Sequence, residues 1–150
     1  RLYVFWDNGS CMFLTVVHAY PNHQEVLETM ESGLTTTVTT NRDSLIDVMR
    51  AISVVSRENE FVAILEIIPG TGVIRIWSKS VLGSFDDVLL AEIDGTPCTV
   101  GVSSKLLLEA VASCREGNVT LRFGDSGTAP ILVYDEPSGA IHIIMSMQIK

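Results

Sequence analysis

Apolar residues recur along this chain in two alternating periods, and the same order of periods occurs twice. The segment Val38–Ile52 aligns without a gap on Val100–Cys114, and each opens with a short extended run. A helical stripe of apolar residues follows in both: Leu45, Val48, Met49 and Ile52 in the first copy, and Leu107, Ala110, Val111 and Cys114 in the second. Asn41 and Ser103 precede the two stripes as helix-capping residues. The pattern therefore predicts two copies of a strand followed by an amphipathic helix.

Three strand-like runs follow each predicted helix. The first set spans 61–68, 73–79 and 86–94, with a turn at 69–72; the second spans 118–123, 129–134 and 140–149, with a turn at 136–139. The unit is thus β-α-β-β-β and occurs twice. This order predicts an α+β fold in which two helices pack side by side on one face of antiparallel sheets.

Residues 1–37 lie outside the repeat. The runs 1–7 and 11–19 read as two strands around the turn signal Asp7-Asn8-Gly9-Ser10, and 25–34 reads as a polar crossover. Because an isolated apolar hairpin is unstable, we expect it to close a preceding domain. The predicted division is 1–37 for that hairpin and linker, and 38–150 for a complete domain. The start at Arg1 fits a processed or truncated chain.

The composition of the chain argues against some classes of protein. The chain has 150 residues, 47% hydrophobic and 19% charged, which predicts a folded domain without a membrane span. A net charge of -8 argues against a protein that coats nucleic acid, although one basic face stays compatible with it. Cys11, Cys98 and Cys114 lack a CxxC spacing, and we expect free thiols in a reducing cytoplasm.

The sequence offers little for catalysis or metal binding. Gly124-Asp125-Ser126-Gly127 resembles a serine-protease nucleophile loop, but none of His18, His23 and His142 has the context of a catalytic base, so a turn between strands is the preferred interpretation. Asp86 and Asp87 are neighbours on a strand and point to opposite faces. Neither metal-ligand spacing nor a phosphate loop is present. We expect no enzyme, no metal and no cofactor; a hydrolase using Ser126 is the minor alternative.

Half of the ten basic residues lie on or just after the two predicted helices: Arg42, Arg50, Arg57, Lys105 and Arg115. Positive charge spread over such a surface contacts phosphates without reading sequence. Asp43, Asp47 and Glu109 lie on the same predicted helices and reduce their net positive charge. Charge alone leaves open a DNA-facing surface and an ordinary solvated helix face.

The end of the chain is unusually apolar. Residues 143–149 include Met145 and Met147, which would share one side of a continuous strand. Two flexible thioethers suit an adaptable peptide groove, and a buried final strand has the same composition. Both interpretations stay open at this point.

The order and spacing of three segments resemble the C-terminal part of a bacterial DNA sliding clamp, the beta subunit of DNA polymerase III. These segments are Val38–Ser56 (with Asn-Arg-Asp-Ser-Leu), Val100–Cys114 and 143–147 (Ile-Ile-Met-Ser-Met), and the similarity runs from about Asp7 to Ile149. The resemblance implies the third clamp domain with the end of the second. It further implies a non-catalytic processivity factor, a head-to-tail homodimer around duplex DNA, and short peptide motifs of the polymerase catalytic subunit and clamp loader as partners.

The resemblance also implies site residues. Those matching the family's peptide groove are Pro21, Val26, Phe61 (or Glu60), Ser103, Leu106, Gly127, Ala129, Ile143, Ile144, Met145, Ser146 and Met147. Val54 and Val55 match the subunit interface. The family's usual Met-Pro-Met-Arg ending is Met-Ser-Met-Gln here, so a rigid Pro and an Arg are missing. A free-standing peptide-binding adaptor that does not encircle DNA is the alternative function.

Overall fold

A hairpin and a larger α+β unit make up the described part of the chain. The computed structural model describes residues 2–6, 9–13, 22–115, 117–125 and 127–149. The strands β1 (Leu2–Trp6) and β2 (Gly9–Phe13) pair antiparallel, which confirms a hairpin here, although Gly9 and Ser10 belong to β2 and not to the turn. Residues 14–19 of the predicted second strand lie outside the described residues. The turn residues Asp7 and Asn8 lie outside the described residues. No described helix is long and apolar enough to cross a membrane.

A helix occupies most of the segment that the sequence predicted as a polar crossover. Helix α1 spans His23–Glu31, and the side chain of Asn22 caps it by accepting from the backbone N–H of Gln24 at 3.2 Å. Glu25 in the first turn complements the positive end of the helix dipole. The sequence analysis did not predict this helix, because its apolar residues Val26, Leu27 and Met30 span little more than one turn.

The next ten elements form the β-α-β-β-β unit twice, which confirms the predicted architecture. The first copy is β3 (Leu34–Asn41), α2 (Arg42–Val55), β4 (Val62–Ile67), β5 (Val73–Ser80) and β6 (Gly83–Asp94). The second is β7 (Cys98–Ser103), α3 (Ser104–Ser113), β8 (Asn118–Gly124), β9 (Ile131–Asp135) and β10 (Ala140–Ile144). These strands form one curled antiparallel sheet in the order β10-β9-β8-β3-β6-β5-β4-β7.

The two longer helices pack side by side and run antiparallel. At one end, the hydroxyls of Ser56 and Ser104 form a buried hydrogen bond of 3.1 Å. At the other end, Arg42 Nη2 donates to the carbonyl of Ala112 at 2.9 Å. The end of α2 thus meets the start of α3, and the start of α2 meets the end of α3. This is the arrangement expected of two copies related by a pseudo-twofold axis.

The apolar stripes of both helices form the centre of the core. Leu45, Met49, Ile52, Leu107 and Val111 are fully buried. They pack with inward-facing strand residues in one hydrophobic cluster, among them Leu65, Ile67, Ile74, Ile76, Leu121 and Phe123. Full burial of each large side chain contributes about 1.5–3 kcal/mol, so these stripes fix the two helices on the sheet.

Residues 140–149 do not form the continuous strand that the sequence predicted. Strand β10 ends at Ile144, which pairs with Ile131, the first residue of β9. Pro130 precedes Ile131 and has no N–H to donate, so the ladder stops there. The following segment, 145–149, is named the tail here. The prediction that Met145 and Met147 share one side of a strand was therefore wrong.

The tail connects the two edges of the sheet. It leaves β10 at one edge and reaches β7 at the other, where Met147 N donates to Gly101 O at 2.8 Å. The approach is close: a Cβ on Gly101 would lie 2.5 Å from the carbonyl oxygen of Met147 and 3.2 Å from Cγ1 of Ile149. A residue without a side chain is needed there for the tail to dock.

Candidate functional site

A cleft about 690 Å³ in volume lies between α3 and β10 and is named the α3–β10 cleft. Helix α3 contributes positions spaced by three and four residues, which lie on one helical face. The lining residues are Leu106, Glu109, Ala110 and Ser113 from α3, Ile141, His142, Ile143 and Ile144 from β10, and Met145 from the tail.

The walls of this cleft are apolar yet open to solvent. Leu106 is 50% exposed, Ile143 43% and Met145 58%, whereas Ile144 beside them is buried. Unlike the core residues, these three leave apolar surface uncovered, and they come from a helix, a strand and the tail. Concave apolar surface of this kind is typical of a binding site for apolar side chains.

One end of the cleft is polar. The hydroxyl of Ser113 donates to the carbonyl of Ala110 at 2.7 Å, so its hydrogen is already used. His142 Nε2 lies 3.2 Å from the same Ser113 oxygen and donates to it in the tautomer that carries its hydrogen on Nε2. In a neutral imidazole this assignment leaves Nδ1 as an acceptor. Glu109, one helical turn before Ser113, adds an exposed carboxylate.

A smaller cleft of about 260 Å³ lies on the other side of the tail and is named the tail–β4 cleft. It is lined by Asn59, Glu60, Val62, Ile64, Met147, Gln148 and Ile149. Glu60 and Phe61 both have positive φ, 51° and 61°, a conformation that non-glycine residues seldom adopt. The Phe61 carbonyl accepts from Ser104 N at 2.8 Å, which anchors this turn to the start of α3. Of the two sequence alternatives, Glu60 is the one that lines the cleft.

The other predicted groove residues are dispersed over the described structure. Val26 lies on α1 in a shallow depression with Glu25, Thr29 and Met30. Gly127 and Ala129 lie in the β8–β9 connection. Ser103 caps α3, its hydroxyl accepting from Leu106 N at 3.4 Å. Pro21 lies outside the described residues. The structure thus groups Leu106, Ile143, Ile144 and Met145 in one cleft and Met147 with Glu60 in the other.

Ser146, at the position where the resemblance predicted a proline, lies between the two clefts. Its hydroxyl oxygen is buried and has no hydrogen-bond partner among the described residues. A buried hydroxyl without a partner is destabilising, and a proline or alanine would carry no such group. The unpaired hydroxyl of Ser146 is therefore unfavourable for the packing of the tail.

Two of the five basic residues predicted to face DNA already have protein partners. The Arg42 side chain is 18% exposed and makes an ion pair of 2.6 Å with Asp43 in addition to its bond with Ala112. Arg50 pairs with Asp47 at 3.6 Å. Arg57, Lys105 and Arg115 are exposed, and the ion pairs of the described residues involve none of them.

The two valines predicted at the subunit interface lie at the end of α2. Val54 is 70% exposed, and the carbonyl of Val55 accepts from the Ser80 hydroxyl at 2.7 Å. This bond places the β5–β6 turn beside them, with Val81 92% and Leu82 63% exposed. We name Val54, Val55, Val81 and Leu82 the valine patch. Sequence reasoning missed its last two members, although two apolar residues at a turn were a visible signal.

The protease-like motif has a structural role at Asp125. Its Oδ1 accepts hydrogen bonds from the hydroxyls of Thr35 and of Thr96, the latter at 2.6 Å, and these bonds hold the pKa of Asp125 below its ordinary value. Asp125 therefore ties the β8–β9 connection to the start of β3 and to the β6–β7 connection. Ser126 lies outside the described residues.

The carboxylates and thiols considered in the sequence analysis also have structural positions in the fold. Asp86 receives two hydrogen bonds from Arg75, which lower its pKa, whereas Asp87 accepts from the backbone N–H of Val88. Cys98 and Cys114 are free thiols, and burial raises the pKa of both. The described residues contain no cluster of His, Cys, Asp and Glu that could hold a metal ion.

Comparison with solved structures finds proteins of the same fold. A putative DNA polymerase III beta subunit from Eubacterium rectale has a TM-score of 0.78 and 21% identity, covering 89% of this chain and 35% of that one. The DNA polymerase III beta subunit from Thermotoga maritima gives 0.78 and 20%, covering 90% and 36%. The sliding clamp from Bacillus subtilis gives 0.78 and 19%, covering 90% and 35%.

This chain spans little more than a third of the length of those structures. No protein-family model and no curated protein sequence matches it. The structural similarity nevertheless extends over about nine-tenths of the chain and agrees with the resemblance seen in the sequence. The chain therefore has the fold of the bacterial DNA polymerase III beta subunit sliding clamp.

Proposed function

We propose that this chain is the C-terminal portion of a cytoplasmic sliding clamp, a non-enzymatic protein that tethers a DNA polymerase to duplex DNA and binds short peptides of its partners. The similarity of the fold to sliding clamps carries the proposal. Because the chain covers about a third of those structures, encirclement of DNA would need the remaining domains and a second subunit. The valine patch would meet that subunit.

The chemistry of the α3–β10 cleft supports the peptide-binding part. Its volume lies within the range of about 300–1,000 Å³ common for ligand sites. Leu106, Ile143 and Met145 offer apolar surface to one or two side chains of an extended peptide. The thioether of Met145 can adjust to anchors of different shape. A peptide with aliphatic and aromatic anchors is the partner that these walls fit.

The test of this part is titration of such a peptide by fluorescence anisotropy. Met145→Ala and Leu106→Ala each remove apolar contact, and we expect affinity to fall about fivefold, equivalent to about 1 kcal/mol. Val88→Ala is the matched control, because Val88 is also 58% exposed but lies on β6, outside the lining of the cleft. Equal affinities for the three folded variants would refute peptide binding in this cleft.

Ser146→Pro tests the role of a stiff tail. Met147 N, not Ser146 N, makes the described backbone bond to Gly101, so proline removes none of the described hydrogen bonds. We expect tighter peptide binding, since a stiffer tail loses less freedom when the peptide docks. Ser146→Ala is the control, because it removes the same hydroxyl without adding stiffness. Identical affinities of the two variants would show that stiffness does not matter.

The DNA-binding part rests on Arg57, Lys105 and Arg115, which would contact phosphates without reading bases. We expect weak binding of duplex DNA by this chain, independent of sequence, with log K falling against log salt by about 0.9 per phosphate contact. Changing these three residues to Gln should abolish the slope, whereas Lys79→Gln on β5 should not. Salt-insensitive or sequence-selective binding would contradict the proposal.

A peptide-binding adaptor that does not encircle DNA is the second candidate. The ion pairs that engage Arg42 and Arg50, and the net charge of -8, favour it. Peptide binding together with no DNA binding at low salt would select the adaptor over the clamp.

A further inference from the structure

The polar end of the α3–β10 cleft offers charge and hydrogen-bond interactions that the apolar anchors of a peptide cannot make. Of the described residues that line the cleft, Glu109 is the one with a carboxylate, and none is a lysine or an arginine. The Ser113 hydroxyl is turned toward Ala110 and receives the Nε2–H of His142. The acceptors that this end can offer are therefore the Glu109 carboxylate and, in the tautomer with hydrogen on Nε2, His142 Nδ1.

Lys105 is the basic residue best placed to compete for Glu109, since it lies one helical turn earlier on α3. A lysine four residues before a glutamate is the weaker of the two orders for a helical ion pair. Among the ion pairs of the described residues, none joins these two side chains or engages Glu109 at all. The carboxylate thus stays available at the cleft.

We infer that the α3–β10 cleft selects peptides with a lysine or arginine beside their apolar anchors, which Glu109 and His142 would receive; this rests on the proposed peptide-binding function. The ammonium of a lysine has three donors and no acceptor, the complement of a carboxylate and an imidazole nitrogen. A glutamate in the same place would meet like charge and acceptors only. Charge complementarity at this end sets specificity, and the apolar walls supply most of the affinity.

The test uses a set of fluorescein-labelled peptides on the 150-residue chain at pH 8. All share the same leucine and phenylalanine anchors, and they carry lysine, glutamine or glutamate on either side of them. We expect one lysine peptide to bind about two- to fivefold more tightly than its glutamine counterpart at low salt, as a partly exposed ion pair allows. The glutamate peptide should bind least, and added salt should shrink the differences.

Two variants assign the preference to its residues. Glu109→Gln keeps the shape and removes the charge, so the lysine and glutamine peptides should bind this variant with equal affinity. Glu92→Gln makes the same change on β6, outside the lining of the cleft, and should leave the preference intact. His142→Phe keeps a planar ring but loses both nitrogens, and it should reduce the preference in part.

The outcomes separate this inference from the function on which it rests. Equal binding of the lysine and glutamine peptides, or a preference that survives in Glu109→Gln, overturns the inference while the proposed cleft stands. If the folded chain binds none of the peptides, the peptide-binding function fails and the inference fails with it. A preference lost in Glu109→Gln and kept in Glu92→Gln establishes it.

Discussion

Gly101→Ala should detach or displace the tail, because the tail crosses β7 where a side chain has no room. The added Cβ would lie 2.5 Å from the carbonyl oxygen of Met147, against a normal contact of about 3.3 Å or more. The obstacle is backbone, so no rotamer change relieves it. The displaced segment also carries the 2.8 Å hydrogen bond from Met147 N and the contact with Ile149.

The expected loss of unfolding free energy is about 1–3 kcal/mol, the usual cost of an overpacked site. With a urea m value of about 2 kcal/mol/M, the midpoint should fall by roughly 0.5–1.5 M. Circular dichroism during urea titration measures it. Gly127→Ala is the matched control, since a Cβ there meets no heavy atom of the described residues within 4 Å and Gly127 does not have a positive φ.

A second comparison isolates the tail as the cause. In a chain that ends at Ile144, Met147 and Ile149 are absent, and Gly101→Ala should cost little. If Gly101→Ala lowers the midpoint equally with and without the tail, the collision is not the reason for the loss. If it matches Gly127→Ala in the full chain, the docked position of the tail is wrong.

Three further predictions concern polar groups of the fold, each measured by urea unfolding. Ser146→Ala removes a buried hydroxyl without a described partner and should raise stability by about 1 kcal/mol; unchanged or lower stability would show that the hydroxyl is satisfied. Ser56→Ala and Ser104→Ala should each cost about 1–2 kcal/mol, and the double variant less than their sum, since each single change leaves one buried hydroxyl alone. The pKa of Asp125 is lowered in the fold, so its hydrogen bonds stabilise above the ordinary carboxyl pKa of 3.8 and are lost as pH falls through the lower folded value. Asp125→Asn should therefore reduce stability at pH 7 and flatten the decline below about pH 4; a decline as steep as in the wild type would refute this.

The repeated unit was predictable because its signals are local. A period of 3.6 residues with a capping Asn41 or Ser103 is a local signal for a helix. The structure buries the predicted stripes except for Val48, which is half-buried, and it also buries Ile46, which the stripe did not include. Helix α1 was not predicted, because its apolar residues Val26, Leu27 and Met30 span little more than one turn among acids such as Glu25 and Glu28. The end of β10 was also hidden, because it depends on Pro130 in the neighbouring strand rather than on β10 itself.

The candidate site could be predicted only in part, because its geometry depends on how segments distant in sequence pack together. The resemblance named Leu106, Ile143 and Met145, and the structure brings them to one cleft. It gave no indication that Arg42 would reach the carbonyl of Ala112, since the acceptor is a backbone atom at the far end of another helix. The polar end of the cleft was missed too, because Ser113 and His142 meet only when α3 packs beside β10.

The tail couples the proposed binding site to the closure of the sheet. Met145 lines the α3–β10 cleft, Met147 lines the tail–β4 cleft, and Met147 also makes the bond to Gly101 that joins the two edges. A peptide that contacts these methionines therefore binds the docked tail and, by mass action, stabilises it. Conversely, a chain whose tail is docked only part of the time binds with affinity reduced by that fraction. Gly101→Ala should then weaken peptide binding although Gly101 lines neither cleft, and in the full chain the loss of affinity should follow the loss of stability.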